Sequence, residues 1–497
     1  MSGGFPRGPG DRTARFLQRI GADPVRADAA RGVHIELVAD LLDPATETAL
    51  ALTAMLLLRM AEYSPTIHVI TPNDRTAVLP LLPDAALPEA LATAYAGFPS
   101  VDRITTAPAH ECDLRLIYSG ARPGVPVSTN GWAVAVGEIL PGGGNALAAA
   151  YAAALAASEV LKLLLPPLGA PASQSRSWRG AVNLWDYSLT AKPGPKIQSI
   201  NLDPHAWVGA GGVASAAAWA LAALPATGAR LSGTGIVVDH DVIDNDGTNL
   251  NRHLTALIEH LGMPKAQLLA DLLRPVGIQL DVRQKQWGEL PQDDRHPPLA
   301  VVSVDDDAVR RAVQRDMPAL VLNAGTGDSG QYQSTRHNFL DDACLACISH
   351  ADETTAGPEH ALAQRLGLPI GELQPHLRSP HPLPAQLLAR LTVSDQEREQ
   401  IATTAARDLL EHFCATLHTD EGPAVSIPML SAAAGVLLAA ELVKTAVAGQ
   451  NPVSGQIVRT NVLTGPHTRW RSHRAKAATC TCQDPIYREH FRKRWPR

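Results

Sequence analysis

At 497 residues the chain is longer than one ordinary core, so two or more domains are expected. Hydrophobic residues make up 45% and charged residues 19%, the balance of a soluble globular protein, and a net charge of −6 argues against general nucleic-acid binding. Six cysteines in a chain this long do not describe a disulfide scaffold, so a reducing cytoplasm is the expected compartment.

The chain starts with a Gly/Pro-rich run to Arg12 that lacks the apolar core of a secretory signal. Residues 1–32 are arginine-rich and read as helical or loose. Strand, turn, helix and strand follow over Val33 to Ala39, Thr46 to Glu62 and Thr66 to Ile70, a βαβ unit. Its first turn, Leu41 to Ala45, contains no glycine, so a nucleotide is not expected there. Leu114 to Tyr118 and Trp132 to Val136 read as later strands, and Gly142 to Asn145 lead into a long alanine helix. That apolar stretch, Ala146 to Leu165, carries Glu159 and Lys162 and reads as a buried helix, not a membrane span. Residues 166–198 read as a linker or irregular crossing segment.

The second half restarts the α/β rhythm, with strands expected at Ile236 to Asp239, Gln279 to Val282, Ala300 to Val304 and Ala319 to Asn323. Helical pieces are expected at His360 to Leu366 and Gln396 to Phe413 inside a Pro/His-rich insertion over 348–412. A second alanine-rich helix over Pro428 to Thr445 mirrors the first, which points to two copies of one fold, the first degenerate.

Chemistry concentrates between Trp207 and His253. Gly209-Ala210-Gly211-Gly212 opens a helix, where backbone amides and the helix dipole favour phosphate. Asp239 and Asp241 follow a Val-rich strand, where acidic residues suit ribose hydroxyls or a solvated turn. Asn249 and Arg252 then add a polar and a cationic group, pointing to a nucleotide that reacts at phosphorus. Lys265, just after Pro264 at a helix start, is expected at the surface. Asp305, Asp306 and Asp307 end a buried strand, which suits either magnesium or an acidic helix N-cap.

Cys344 and Cys347 pair by spacing, as do Cys480 and Cys482; two such pairs complete a tetrahedral structural zinc site, or else stand as unrelated thiol pairs or a redox pair. Cys112 reads as a buried structural thiol. Cys414 heads a polar run that leads to the Pro428 helix, where a thiol suits acyl transfer to a thioester.

In this order the motifs resemble the superfamily of ThiF, MoeB and the ubiquitin-activating enzymes, strongly over 200–482 and more weakly over 33–190. The resemblance implies an α/β protein with two Rossmann-like domains. The first, 33–190, is inactive; the second, 191–347, is an adenylation domain that binds ATP with Mg²⁺. An insertion and crossover region over 348–427 bears the transfer cysteine, and 428–497 returns to the adenylation domain with the second zinc half-site and a basic tail. By the same resemblance Gly209, Gly211 and Gly212 form the loop, Asp239 and Asp241 the ribose and magnesium side, and Asn249, Arg252 and Lys265 the phosphate contacts. Asp305 matches the aspartate after the later strand, with Arg310 beyond it. Arg15 or Arg19 is the arginine implied to reach the phosphates from the N-terminal segment. Two departures stand out: Ala214 replaces the usual third glycine, and Asp306 stands where asparagine is usual.

The implied activity is that of a compact bacterial ubiquitin-like-protein activating enzyme. It adenylates a carrier ending in glycine, forms a thioester on Cys414 as in the autophagy type, and hands the carrier to a conjugating enzyme. The tail from Arg488 to Arg497, with Phe491 and Trp495, is a docking surface for that enzyme or a frayed basic end. Two alternatives stand beside this reading: an adenylyltransferase for a sulfur carrier or a peptide carboxylate, with no thioester, and a non-catalytic scaffold for a ubiquitin-like protein. A homodimer is compatible with all three.

Overall fold

The computed structural model describes residues 12–171, 175–348, 426–448, 456–478 and 480–496, and within 362–409 all but 364, 374, 378, 380, 407 and 408. The chain divides into two compact units, one of residues 1–348 with 425–497 and one of 349–424.

In the larger unit the first sheet takes β1 (His34–Ala39), β2 (Thr66–Ile70), β3 (Ile104–Thr105), β4 (Leu114–Ser119), β5 (Val125–Asn130), β6 (Ala133–Val136) and β7 (Gly180–Asn183). Their order is β3-β2-β1-β4-β5-β6-β7, parallel as far as β5 and antiparallel through β6 and β7. The second sheet takes β8 (Ser199–Asn201), β9 (His205–Val208), β10 (Arg230–Val238), β11 (Ile278–Arg283), β12 (Leu299–Val302), β13 (Leu320–Thr326), β14 (Gln331–His337), β15 (Gln456–Asn461) and β16 (Arg471–His473). Its order is β11-β10-β9-β12-β13-β14-β15-β16, with β8 beside β10. Leaving out β8 and β16, each strand of the second sheet stands where the strand eight places earlier stands in the first, and the antiparallel turnover comes at the same step. The two halves are copies of one Rossmann-like topology.

The likeness extends to the helices that enter the last strands. Ala146–Leu164 joins β6 to β7, and Pro428–Ala448 runs between β14 and β15. Both are long and apolar enough to cross a membrane, yet both lie inside the molecule, packed on one another, with Pro428–Ala448 also against the helix Gly212–Ala222. Each carries a buried Glu-x-x-Lys. Glu159 pairs with Lys162 and lies 2.8 Å from Arg179 Nη1, while Glu441 lies 2.7 Å from Lys444 Nζ and accepts from the Tyr187 hydroxyl. Alanine suits such helices because small side chains let backbones approach. At Gly435 the approach is closest, since a Cβ there would sit 2.4 Å from the Val213 carbonyl oxygen and 2.6 Å from Ala216 Cβ.

Several elements depart from the sequence reading. The expected linker over 166–198 contains β7, the last strand of the first sheet, and β5 precedes β6 with only two residues between them. Strand β7 has only four residues, and β5 carries Pro126 and a polar second half, both poor signals of a strand. Strand β10 begins at Arg230, six residues before the expected start, because glycines interrupt its apolar run.

The unit of residues 349–424 has its own apolar core, with Leu362, Leu366, Leu373, Leu387 and Ile401 buried together. Its helix Asp395–Thr403 starts on a capping box, in which Ser394 Oγ accepts from Glu397 N and the Glu397 carboxylate accepts from Ser394 N. The helix expected over Gln396 to Phe413 therefore closes at Thr403, and 410–413 lie outside the described residues.

Candidate active site

In an open parallel sheet, ligands bind beyond the strand C-termini where the strand order reverses. In the second sheet this point lies between β9 and β12. Val208 pairs in register with Val238 on one side and with Val302 on the other. Three strands thus end level, and the segments leaving them, at Gly209, Asp239 and Ser303, start from one edge.

The loop after β9 turns at Gly209, whose φ of +90° favours glycine and where a Cβ would meet Val304 Cγ1 at 2.9 Å. Gly209 N donates to Val238 O at 2.9 Å, and Ala210 N donates to Asp239 Oδ2 at 2.6 Å. Gly211 then caps the helix Gly212–Ala222 with no side-chain hydrogen bond, and a Cβ there would meet nothing within 4 Å. No side chain therefore caps this end of the helix, which follows a tightly held loop.

The corresponding point of the first sheet is closed by its own side chains. Asp43 caps the helix Pro44–Leu58, accepting from Ala45 N at 2.8 Å and Thr46 N at 3.0 Å. Asp40, at the end of β1, pairs with Arg122 beyond β4 at 3.0 Å. The amides that would bind an anion already hold a carboxylate.

Asp239 is half-buried, and both of its oxygens are engaged, Oδ2 by Ala210 N and Oδ1 by Asp241 N at 2.8 Å. Burial raises its pKa against the pull of these amides. Asp241 is exposed and lies 2.8 Å from Lys265 Nζ. Burial alone would raise its pKa, but the hydrogen bond and charge of Lys265 outweigh it and hold Asp241 below the usual carboxylate value. Lys265 is only 7% exposed, against the expected surface position, because its amide bonds to Asp241 O and draws the helix start inward.

Asn249 and Arg252 ride on a 3-10 turn, Thr248–Asn251. The Asn249 amide group donates to Asp244, and its Oδ1 is buried with no hydrogen-bond partner among the described residues. Arg252 is half-buried, and among the described residues no hydrogen bond or ion pair closes on its guanidinium. Burial lowers its pKa, opposed by Asp305 and Asp244 nearby and reinforced by Arg15. Asp305 is exposed. Asp306, by contrast, is the N-cap of the helix Asp307–Arg315, accepting from Ala308 N at 2.6 Å, a role that asparagine fills equally well. Arg310 is held to Asp307 Oδ1 at 2.8 Å and to Val304 O at 2.7 Å.

Three contributors were not singled out from sequence. Arg12 shares the electrostatic environment of Arg252, Arg15, Asp244 and Asp305, and burial first, then Arg252, lower its pKa to about 10. It starts the helix Arg12–Arg19, tied to the site by Asn251 Nδ2 donating to Thr13 Oγ1 at 3.1 Å. His253 is fully enclosed, with Nε2 2.8 Å from Ala210 O and Nδ1 3.1 Å from Thr255 Oγ1. Burial pushes its pKa down to about 3, helped by the charges of Lys265, Arg59 and Arg252, so the neutral ring donates to Ala210 and accepts from Thr255. The third is Arg59, from the first half. Only His253, directly after the Asn-x-x-Arg run, offered a signal in the sequence, and nothing marked it apart from other histidines.

Away from this edge, the four cysteines converge. Cys344 Sγ lies 3.8 Å from Cys347 Sγ and 3.4 Å from Cys480 Sγ, and Cys347 Sγ lies 3.5 Å from Cys482 Sγ. All four are buried and could hold a metal ion. Tetrahedral sulfurs about 2.3 Å from a zinc ion stand about 3.8 Å apart, so the cluster has the right size. Ala477 N donates to Cys347 Sγ at 3.4 Å. Hydrogen bonding from Cys344 holds Cys347 low, near 4, while that bond and burial push Cys344 up, and burial first pushes Cys482 up to about 12. A divalent cation removes this opposition to multiple thiolates. Cys112 is half-buried, not enclosed as expected, and Cys414 lies outside the described residues.

Comparison with known proteins covers more than half of the chain. Over 335 residues the chain is 27% identical to the uncharacterized protein y4jF of Sinorhizobium fredii (strain NBRC 101917 / NGR234), the match covering 63% of each. Among solved structures it is similar to E. coli MccB with selenomethionine MccA, at 14% identity and a TM-score of 0.35, covering 56% of this chain and 66% of that one. It is also similar to PaaA, at 15% identity and a TM-score of 0.30, covering 52% and 69%. The chain thus spans just under two thirds of the length of y4jF and of MccB. Residues 198–484 match the ThiF family, from the start of β8 to just past the fourth cysteine. With more than half of its length so matched, the chain belongs to the ThiF family.

Proposed function

We propose that this protein activates the C-terminal carboxylate of a ubiquitin-like protein with ATP and passes it to Cys414. The observation that carries the reading is the uncapped amide end of the helix Gly212–Ala222, ringed by Arg252, Lys265, Asp241 and Asp305 on segments that leave one sheet edge. Membership of the ThiF family supports it. The phosphates of ATP lie on the amides of 211–213, and the half 33–190 binds none.

In the first step a carboxylate oxygen of the carrier attacks the α-phosphorus. The bond from that phosphorus to the bridging oxygen breaks, and pyrophosphate leaves. Arg252 and Lys265 offset the charge that develops on the phosphoryl oxygens. Magnesium, with Asp241 and Asp305 as its carboxylates, would supply further charge neutralisation. In the second step the Cys414 thiol loses its proton, and its sulfur displaces AMP from the acyl carbon to leave a thioester for a conjugating enzyme. The zinc that we assign to Cys344, Cys347, Cys480 and Cys482 is structural. The site of action is the cytoplasm.

The test is ATP–pyrophosphate exchange driven by a candidate carrier ending in glycine, with adducts read on non-reducing gels. Exchange falls by about 100-fold or more in Arg252→Ala and in Asp305→Ala, the scale of a lost transition-state contact. Cys414→Ala keeps exchange and loses the reducible adduct. An adduct that survives this substitution rules Cys414 out. Exchange with no adduct in the wild type selects the sulfur-carrier or peptide reading, and failure to bind ATP selects the scaffold.

A further inference from the structure

The half whose own crevice is closed sends one charged side chain into the other. Arg59, just past the helix Pro44–Leu58, is fully buried, and its contacts are to the segment that carries Arg252. Its Nη1 donates to Leu250 O at 2.6 Å, and its Nη2 donates to Leu254 O at 3.0 Å and to Ala256 O at 2.9 Å. Its Nε donates to the Tyr95 hydroxyl at 3.1 Å, and the guanidinium lies over the Tyr95 and Phe98 rings at 5.2 and 5.6 Å. Among the described residues no carboxylate pairs with it.

A buried cation held by four neutral acceptors and two ring faces is an uncommon solution, because burying a charge is costly unless it is well satisfied. What it accomplishes is geometric. The three carbonyls lie on both sides of Arg252 and His253 in sequence, so a planar fork of fixed shape locks the chain across them. His253 in turn donates to Ala210 O inside the glycine loop, and Leu254 N donates to Ser215 Oγ in the first turn of the helix that loop opens, at 3.0 Å. A single guanidinium therefore sets the height of the Arg252 segment against the 209–212 loop.

We propose that Arg59 is a positioning residue of the nucleotide site, clamping the 250–256 segment so that Arg252 and the glycine loop keep one spacing. This rests on the reading of that site as the ATP site. It also gives the first half a role in a reaction for which its own crevice is closed.

The test uses the full chain with ATP as the probe, in wild type, Arg59→Lys, Arg252→Ala and the double variant. Lysine keeps the charge but cannot span three carbonyls and a hydroxyl. Calorimetry should show ATP binding weakened roughly tenfold in Arg59→Lys, the scale of a displaced contact to a charged group. In the double variant the affinity should equal that of Arg252→Ala alone, since the two residues act through one contact. Equal weakening on both backgrounds, or none on either, overturns the proposal. Hydrogen exchange in the absence of nucleotide gives a readout free of the ATP reading. Amides of 249–256 should exchange faster in Arg59→Lys while those of β9 and β12 keep their protection, and unchanged exchange at 249–256 overturns the proposal whatever ATP does. A wild type that fails to bind ATP, with the local loosening present, defeats the nucleotide reading and leaves the clamp. If Arg59→Lys does not fold, Tyr95→Phe, which removes only the Nε acceptor, carries the same measurements with smaller changes of the same sign, and no change overturns the proposal.

Discussion

Residues that look alike in the sequence are sorted by what their atoms already hold. Asp305 and Asp306 are neighbours of one chemical type, but Asp306 Oδ1 accepts from the amides of Ala308 and Val309 while Asp305 stays exposed near Arg252. Sequence offered both roles for the acidic run, and local geometry divides them. His253 and His337 show the same principle through titration. Burial lowers their pKa values from 6.5 to about 3 and about 4, so the folded protein keeps both rings neutral where the unfolded chain protonates them. Their contribution to stability is complete above pH 6.5 and is lost as pH falls from there toward 4, because the unfolded state then binds more protons. Calorimetric melting temperatures should be flat in this contribution above pH 7 and fall below 6.5. In His253→Gln the slope of unfolding free energy with pH over that window should shrink by up to about 1.4 kcal/mol per pH unit, the weight of one proton. An unchanged slope would show that His253 titrates normally in the fold.

At the scale of elements, the site exists because β9, β10 and β12 end in register, and register follows from which faces are apolar. The strand core was readable, since Val-rich runs bounded by turns mark buried strands. Short strands such as β7 were not, because four residues carry too little pattern against a Pro/Gly background. The long alanine helices were legible as buried, but their partners were not. The contact at Gly435 against Val213 and Ala216 belongs to the packing of Pro428–Ala448 on Gly212–Ala222, the helix whose open end forms the site. Gly435→Ala adds a methyl where 2.4 Å is available, so these helices must separate. A loss of about 1–3 kcal/mol in denaturant unfolding is expected, although alanine is the better helix former. A neutral or stabilising result would mean that the helices do not pack this closely.

Across the whole molecule, duplication explains the design. Both sheets have the same strand order, and both late helices carry a buried Glu-x-x-Lys, but only one crevice is open. The copy that lost the crevice keeps a structural hold on the other through Arg59. The cysteine cluster joins chain segments more than a hundred residues apart, around Phe339 and Phe491, whose rings stack at 5.2 Å. Metal analysis of the purified protein should find about one zinc per chain. Cys344→Ser, or chelation with phenanthroline, should remove it and lower the melting temperature, with ATP affinity of the folded protein unchanged. Protein purified without metal and equally stable after chelation would exclude a structural zinc.

The order of motifs was enough to place this chain in its family. A phosphate loop needs glycine, a thiolate metal site needs spaced cysteines, and both demands are local to the chain. Which groups face one another was decided only in three dimensions. Arg12 and Arg59 carry no motif, and arginines at those spacings read as surface charge. They matter because folding brings three backbone carbonyls and a tyrosine hydroxyl within reach of Arg59, up to 197 positions away, and sets Arg12 in the field of Asp244 and Asp305, which are more distant still in the chain.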